Sequence, residues 1–211
     1  MPQTASESSF LDRFPPEQST AATGTLGNQT LPMVAQRVVL YEEDSSDPQG
    51  KRYLGLVSWR TETVPPAPNS DVAVRAHVKI PERQITMTWL LRRNIDHALP
   101  ASHTIEMMFN LPADFSGRGV ASVPGVLMKR SEQEPGAPLA TVAAMVTNGV
   151  FIIELSTADS DEQRNIQMLK ESPWFDIPIA YINGTRAILA IEKGLPGYRA
   201  FAEAFAVWEK K

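Results

Sequence analysis

The stretch "DVAVRAHVKIPERQITMTWLLRR" (Asp71–Arg93) constrains the fold more than any other part of the chain. Val72, Val74, Ala76, Val78 and Ile80 alternate with Arg75, His77 and Lys79. That period of two predicts a strand with one apolar face and one basic face. "PERQ" turns the chain, and Ile85, Met87, Trp89 and Leu91 repeat the period. Two half-buried strands joined by a short loop predict an antiparallel hairpin, and hence a sheet with one solvated side.

The rest of the chain follows this lead. "RVVLYEED" and "RYLGLVSWRTETV" are predicted strands joined by a polar turn, "SSDPQGK", with Tyr53, Gly55, Val57 and Trp59 on one face of the second. "VPPAPNS" is a proline-marked loop. "HTIEMMFNL" alternates again, "DFSGRG" turns, and "VASVPGVLMKR" reads as a further strand before the loop "SEQEPGAP". "LATVAAMV" and "VFIIELS" flank "TNG", a turn sequence suited to tight hairpins. "PWFDIPIAYINGTRAILAIEKG" predicts another hairpin, whose second strand, "RAILAI", is apolar on both faces and therefore central.

Helices are predicted only near the C-terminus. "ADSDEQRNIQMLKES" places Ser160 and Gln163 at capping-box spacing, with Ile166 and Leu169 on one face. In "LPGYRAFAEAFAVWEKK", Tyr198, Phe201, Phe205 and Trp208 form one aromatic stripe, read as core packing. Short connections favour antiparallel pairing over βαβ crossovers. About ten strands exceed one comfortable flat sheet. The expected fold is mainly β, an antiparallel sandwich or partly closed barrel with two helices near the C-terminus.

The first 36 residues break this pattern. They are rich in Ser, Thr, Gln, Ala and Pro, lack periodicity, and read as a disordered tail or linker, with Phe10, Leu11 and Phe14 as an isolated apolar cluster. Residues 37–211 are expected to form a single domain. The formal net charge of -4 argues against nucleic-acid binding, which relies on a strong positive field. The chain has no cysteine, which excludes disulfides, thiolate catalysis and cysteine-ligated zinc. No segment is long and apolar enough to span a bilayer, and the first residues lack the shape of a signal peptide.

Reactive groups are few. "DHALPASHTIEMMF" gathers Asp96, His97, Ser102 and His103. If a strand begins here, Ser102 and His103 point to opposite faces and cannot act as nucleophile and base. His103 shares its parity with Ile105, Met107 and Phe109, the side of the core. The three histidines show no metal-ligand spacing, and the acidic runs "YEEDSSD" and "ADSDEQ" lack the calcium-loop pattern. Neither a metal nor a cofactor is expected. One surface stands out: Arg75, His77 and Lys79, joined by Arg83, Arg92 and Arg93 on or beside the partner strand, predict a basic patch on an acidic protein. Such a patch suits an acidic partner, an anionic polymer or a lipid headgroup, although solvated charge is also the ordinary state of an open sheet face.

The blocks "VVLYEEDSSDPQGKRYLG", "LPASHTIEMMF", "VPGVLMK", "WFDIPIAY" and "RAILAIEKGLPGYRAF" resemble an uncharacterised family of alphaproteobacterial proteins, in the same order and from Val34 to Trp208. The resemblance implies an exported C-terminal domain that follows a single membrane span and a Pro/Ala/Thr-rich linker. It implies a periplasmic location, tethered to the inner membrane through a segment outside this chain. The family carries no known activity, so it transfers no catalytic residue. The sequence thus favours a non-enzymatic binding or interaction module of the bacterial envelope, meeting an envelope protein or an anionic envelope polymer. The alternatives are a periplasmic hydrolase with a site near His97 and His103, and a purely structural domain.

Overall fold

The computed structural model describes residues 35–63, 71–96 and 98–210. Nearly all of the predicted tail, the loop "VPPAPNS" and His97 lie outside them. The fold is mainly antiparallel β, a curled half-barrel sheet with two helices near the C-terminus. The strands are β1 (Gln36–Asp44), β2 (Asp47–Thr63), β3 (Val72–Ile80), β4 (Ile85–Arg93), β5 (His103–Asn110), β6 (Val120–Ser122), β7 (Leu127–Lys129), β8 (Ala137–Pro138), β9 (Thr141–Thr147), β10 (Val150–Leu155), β11 (Trp174–Tyr181) and β12 (Arg186–Glu192). The helices are α1 (Asp159–Glu171) and α2 (Gly194–Trp208).

Sequence neighbours pair from β1 to β5, and β9–β10 and β11–β12 are hairpins. The full order, β8-β7-β11-β12-β1-β2-β3-β4-β5-β10-β9, is not sequential, because the C-terminal hairpin inserts beside β1. This is the geometry of one sheet curling round a core rather than of two sheets stacked. The two ends of the path are close in the chain. Only Leu139 and Ala140 separate β8 from β9. At this joint the Asn165 side chain of α1 acts as a substitute strand. Its Oδ1 accepts from the Ala140 N–H at 2.8 Å and its Nδ2 donates to the Ala140 carbonyl at 3.0 Å. That carbonyl also accepts from the Ser156 N–H, continuing the β9–β10 ladder.

The alternation read from the sequence holds. Val57, Trp59, Val74, Ala76, Val78, Met87, Trp89 and Leu91 all lie in the main core. Helix α2 lays Phe201, Phe205 and Trp208 on this inner face, with Tyr198 half-buried at its start. Phe201 sits 5.7 Å from Trp59, 5.8 Å from Trp89 and 5.8 Å from Phe175, ring centre to ring centre. Such ring clusters add to area burial through their edge and offset contacts. Two of the buried indoles reach backbone acceptors: Trp59 Nε1 donates to the Glu192 carbonyl and Trp208 Nε1 to that of Val72. The strand "RAILAI" is central as expected, since Ile188 and Ala190 join Val39, Tyr41 and Trp174 in a second cluster on the outer face.

Three local expectations are corrected. The first turn is shorter than "SSDPQGK": β2 already starts at Asp47, and Asp44 Oδ1 closes the turn by accepting from the Ser46 N–H and hydroxyl. "VASVPGVLMKR" forms two short strands, β6 and β7, both against β11, with Pro124 and Gly125 between them. Helix α1 starts without a capping box. Its N-cap is Ala158, with no side-chain cap, so Ser160 already lies inside the first turn. Ser156 shapes this entry instead, accepting from the Ala158 N–H and donating to Asp161.

Candidate functional site

The parity of β5 decides the fate of the stretch that holds His97 and His103. His103 turns inward with Ile105 and Met107 and is only 4% exposed. Its ring lies 5.1 Å from Trp208 and 5.9 Å from Phe205. Neither ring nitrogen has a hydrogen-bond partner among the described residues. Burial, aided by the Arg93 charge, holds its pKa down at about 4, so the imidazole is neutral near pH 7. It is packed as an apolar ring against Trp208 and Phe205, and among the described residues no carboxylate bonds it.

The six basic residues divide. Arg75, His77, Lys79 and Arg92 share the outer face, as the registers of β2 to β5 require. Arg75 is engaged there by Glu62, through two guanidinium nitrogens. His77 and Lys79 are exposed. Arg83 leaves the patch. The short helical turn Pro81–Arg83 sends it to the rim of the inner face, over the rings of Tyr53 and Phe115 and against Glu42. Arg93 also leaves, because it shares parity with Leu91. It lies opposite His103 and donates to the Trp208 carbonyl. Sequence spacing missed both departures, since a one-residue step inverts the face.

The outer face has an apolar half that the sequence reading did not single out. Leu54 and Leu56 are more than half exposed, and Met108 nearly so. Leu56 stands directly opposite Lys79, while His77 faces Thr88, which in turn faces Met108. The signal was present in "YLGLVSW", where two leucines take the solvent parity of an otherwise regular strand.

A polar cleft of about 200 Å³ opens at one rim, lined by Glu42, Asp44, Lys51, Tyr53, Arg83 and Tyr181 among others. Its acids are already engaged. Glu42 meets Arg83 and accepts from the Tyr181 hydroxyl at 2.7 Å. Asp44 meets Lys51 at 2.8 Å, and that bond holds its carboxyl far below the usual range. Glu43 meets Arg186. Burial, reinforced by the Glu42 carboxylate, pushes the Tyr181 phenol well above its ordinary pKa. Among the described residues, no group of three or more acidic or histidine side chains is placed to hold a metal ion.

A further polar network lies beneath the β7–β8 link on the outer side. Lys129 and Asp176, 0% and 2% exposed at their side chains, pair at 2.7 Å. Lys129 also donates to the Glu132 carbonyl. The Glu132 carboxylate collects Arg37 at 2.8 Å, Arg52 at 3.6 Å and the Tyr41 hydroxyl. Burial, reinforced by Glu132, raises the Tyr41 phenol above its normal range. One cue was legible: Asp176 is a lone acid within "WFDIPIAY", a strand apolar on both faces. The other partners are remote in sequence, so their convergence was not.

No described helix is long and apolar enough to cross a membrane. No family model, curated protein or solved structure matches the chain.

Proposed function

We propose that the domain is a non-enzymatic interaction module of the bacterial envelope, exported to the periplasm and tethered through a segment outside this chain, and that it docks an envelope protein on the outer face of β2 to β5. The observation that carries this reading is the mixed character of that face. Leu54, Leu56 and Met108 expose large apolar side chains beside His77, Lys79 and Arg92. Exposed apolar groups next to the solvent-facing cations Lys79 and Arg92 suit a partner with an acidic rim round an apolar centre. The envelope location is supported by the resemblance of the sequence blocks alone. The hydrolase alternative draws no support from His103, whose buried ring faces Trp208; His97 lies outside the described residues.

The test is crosslinking in envelope fractions with the wild-type domain and with two variants, Leu56→Asp and Lys79→Glu/Arg92→Glu. All three positions are solvent-facing, so circular dichroism and melting temperature are expected to stay close to wild type. The proposed reading expects one specific partner that both variants lose, with affinity falling at least about 10-fold, the loss that 1.4 kcal/mol brings. A partner captured equally by all three proteins would place the contact elsewhere. Binding to anionic polymer or lipid vesicles with a steep salt dependence, and to no protein, would replace the protein partner with a polyanion.

A further inference from the structure

Strand β9 is the last strand of the sheet path, and among the described residues no strand lies on its far side. Its sequence, "TVAAMVT", carries no charge and no proline. Its large apolar side chains are exposed, Val142 at 69%, Met145 at 57% and Val146 at 59%. Edge strands are normally blunted by charge, proline, a covering element or shortness. β9 has seven residues, paired regularly with β10 from Thr141 to Met145, and its bulge against β10 falls at Val146, between Met145 opposite Phe151 and Thr147 opposite Val150. The opposite end of the sheet is protected, because β8 is only two residues long and ends in Pro138.

The order of residues in β9 goes beyond mere exposure. Read outward from Ala144, the strand pairs Ala143 with Met145, Val142 with Val146 and Thr141 with Thr147. It is a chemical near-palindrome. An antiparallel pair related by a two-fold axis requires this, since residue i of one copy meets residue j of the other and j meets i. The backbone parity agrees. The Ala140 carbonyl points to Ser156, at the β10 side. Alternation along the ladder then turns the N–H and C=O of Ala143 and Met145 to the open side. Those two residues face each other's copies across an axis at Ala144.

We infer that two copies of this chain associate through β9, antiparallel and in register about Ala144, so that the two half-barrel sheets become one continuous sheet. Thr–Thr and Val–Val cross-strand pairs are favourable, and the strand brings no charge into conflict with itself. A contact of one seven-residue strand lies at the small end of specific interfaces, so the expected dissociation constant is micromolar or weaker. This inference does not depend on the docking face proposed above. Leu56→Asp and Lys79→Glu/Arg92→Glu should leave the dimer intact, and the β9 variants should leave that docking intact, so each reading fails separately.

Two experiments on the full chain test it. Sedimentation equilibrium of the wild type should show a monomer–dimer equilibrium. Val142→Lys/Val146→Lys and Val142→Glu/Val146→Glu should each be monomeric, while an equimolar mixture of the two should dimerise again, because each lysine then meets a glutamate. Restoration on mixing excludes misfolding as the cause of the loss. Independently, Ala144→Cys supplies the sole thiol of a cysteine-free chain. At a two-fold position it meets its own copy within disulfide range. Mild oxidation should crosslink it many-fold faster than a thiol at exposed Leu195 (Leu195→Cys). A wild type that stays monomeric to millimolar concentration, or equal crosslinking at both positions, overturns the inference.

Discussion

His103 shows what burial does to a single titratable group. Folded, its pKa is about 4 against an ordinary 6.5. Between those values the unfolded chain holds the extra proton, so stability rises with pH across this window and falls as the solution is acidified from pH 6.5 towards 4. The effect is on the order of 3 kcal/mol at most. Chemical denaturation at pH 7 and pH 4.5 should show that loss, and His103→Phe should remove much of the difference. Lys129 and Asp176 make the complementary case, a pair of charges removed from water together. Lys129→Met alone takes the cation away from the buried Asp176 carboxylate and is expected to cost about 3–5 kcal/mol. Lys129→Met with Asp176→Leu should recover most of it, because the pair's attraction and its desolvation nearly cancel. Urea melts of the two variants decide the matter.

At the scale of elements, close approach rather than composition sets tolerance. A Cβ on Gly55 would collide with the Lys79 carbonyl oxygen and with Ile80 Cδ1, across the β2–β3 contact. Gly55→Ala is therefore expected to destabilise by about 1–3 kcal/mol, as overpacking does, with the midpoint of denaturation falling and the slope unchanged. Period and parity made most strands legible, and the hairpins β3–β4 and β9–β10 followed from their turns. Helix α1 was legible from Ile166 and Leu169, but its start was not. Ser160 fits a cap by spacing, yet Ser156 and Ala158 take that role because the chain leaves β10 four residues earlier. Lys193 was wholly illegible. In sequence it is one more surface cation, but its Nζ caps the Leu169 and Lys170 carbonyls at the end of α1 and sits over the rings of Tyr198 and Phe201. Burial draws its pKa down to about 7.

For the whole molecule, curvature decides what meets what. The candidate patch Arg75, His77, Lys79 and Arg92 was readable because one sheet face is a local property. The loss of Arg83 and Arg93, the apolar leucines at the patch's side and the Glu132 network all arise where distant segments converge. Asn165 bears the most weight here, since it alone bonds both polar groups of Ala140 where the first and last strands of the path are joined. Asn165→Leu keeps the branched shape but leaves the part-buried Ala140 N–H without its acceptor, at a cost of about 1–3 kcal/mol. Hydrogen exchange should locate the damage. Protection of the amides of Ala140 and of β9 is expected to drop well before that of β1 to β4.

The insertion of β12 beside β1 carries a consequence for synthesis on the ribosome. One flank of β1 is filled by β2 within a few residues, but the other must wait for a strand that starts at Arg186. Until β12 and α2 have emerged, Val38 to Glu42 present an unpaired ladder on that flank, and the inner wall lacks the aromatic stripe of α2. The domain therefore reaches its final form only once β12 and α2 are available, and a chaperone that shields the first strand would be the helper it most needs.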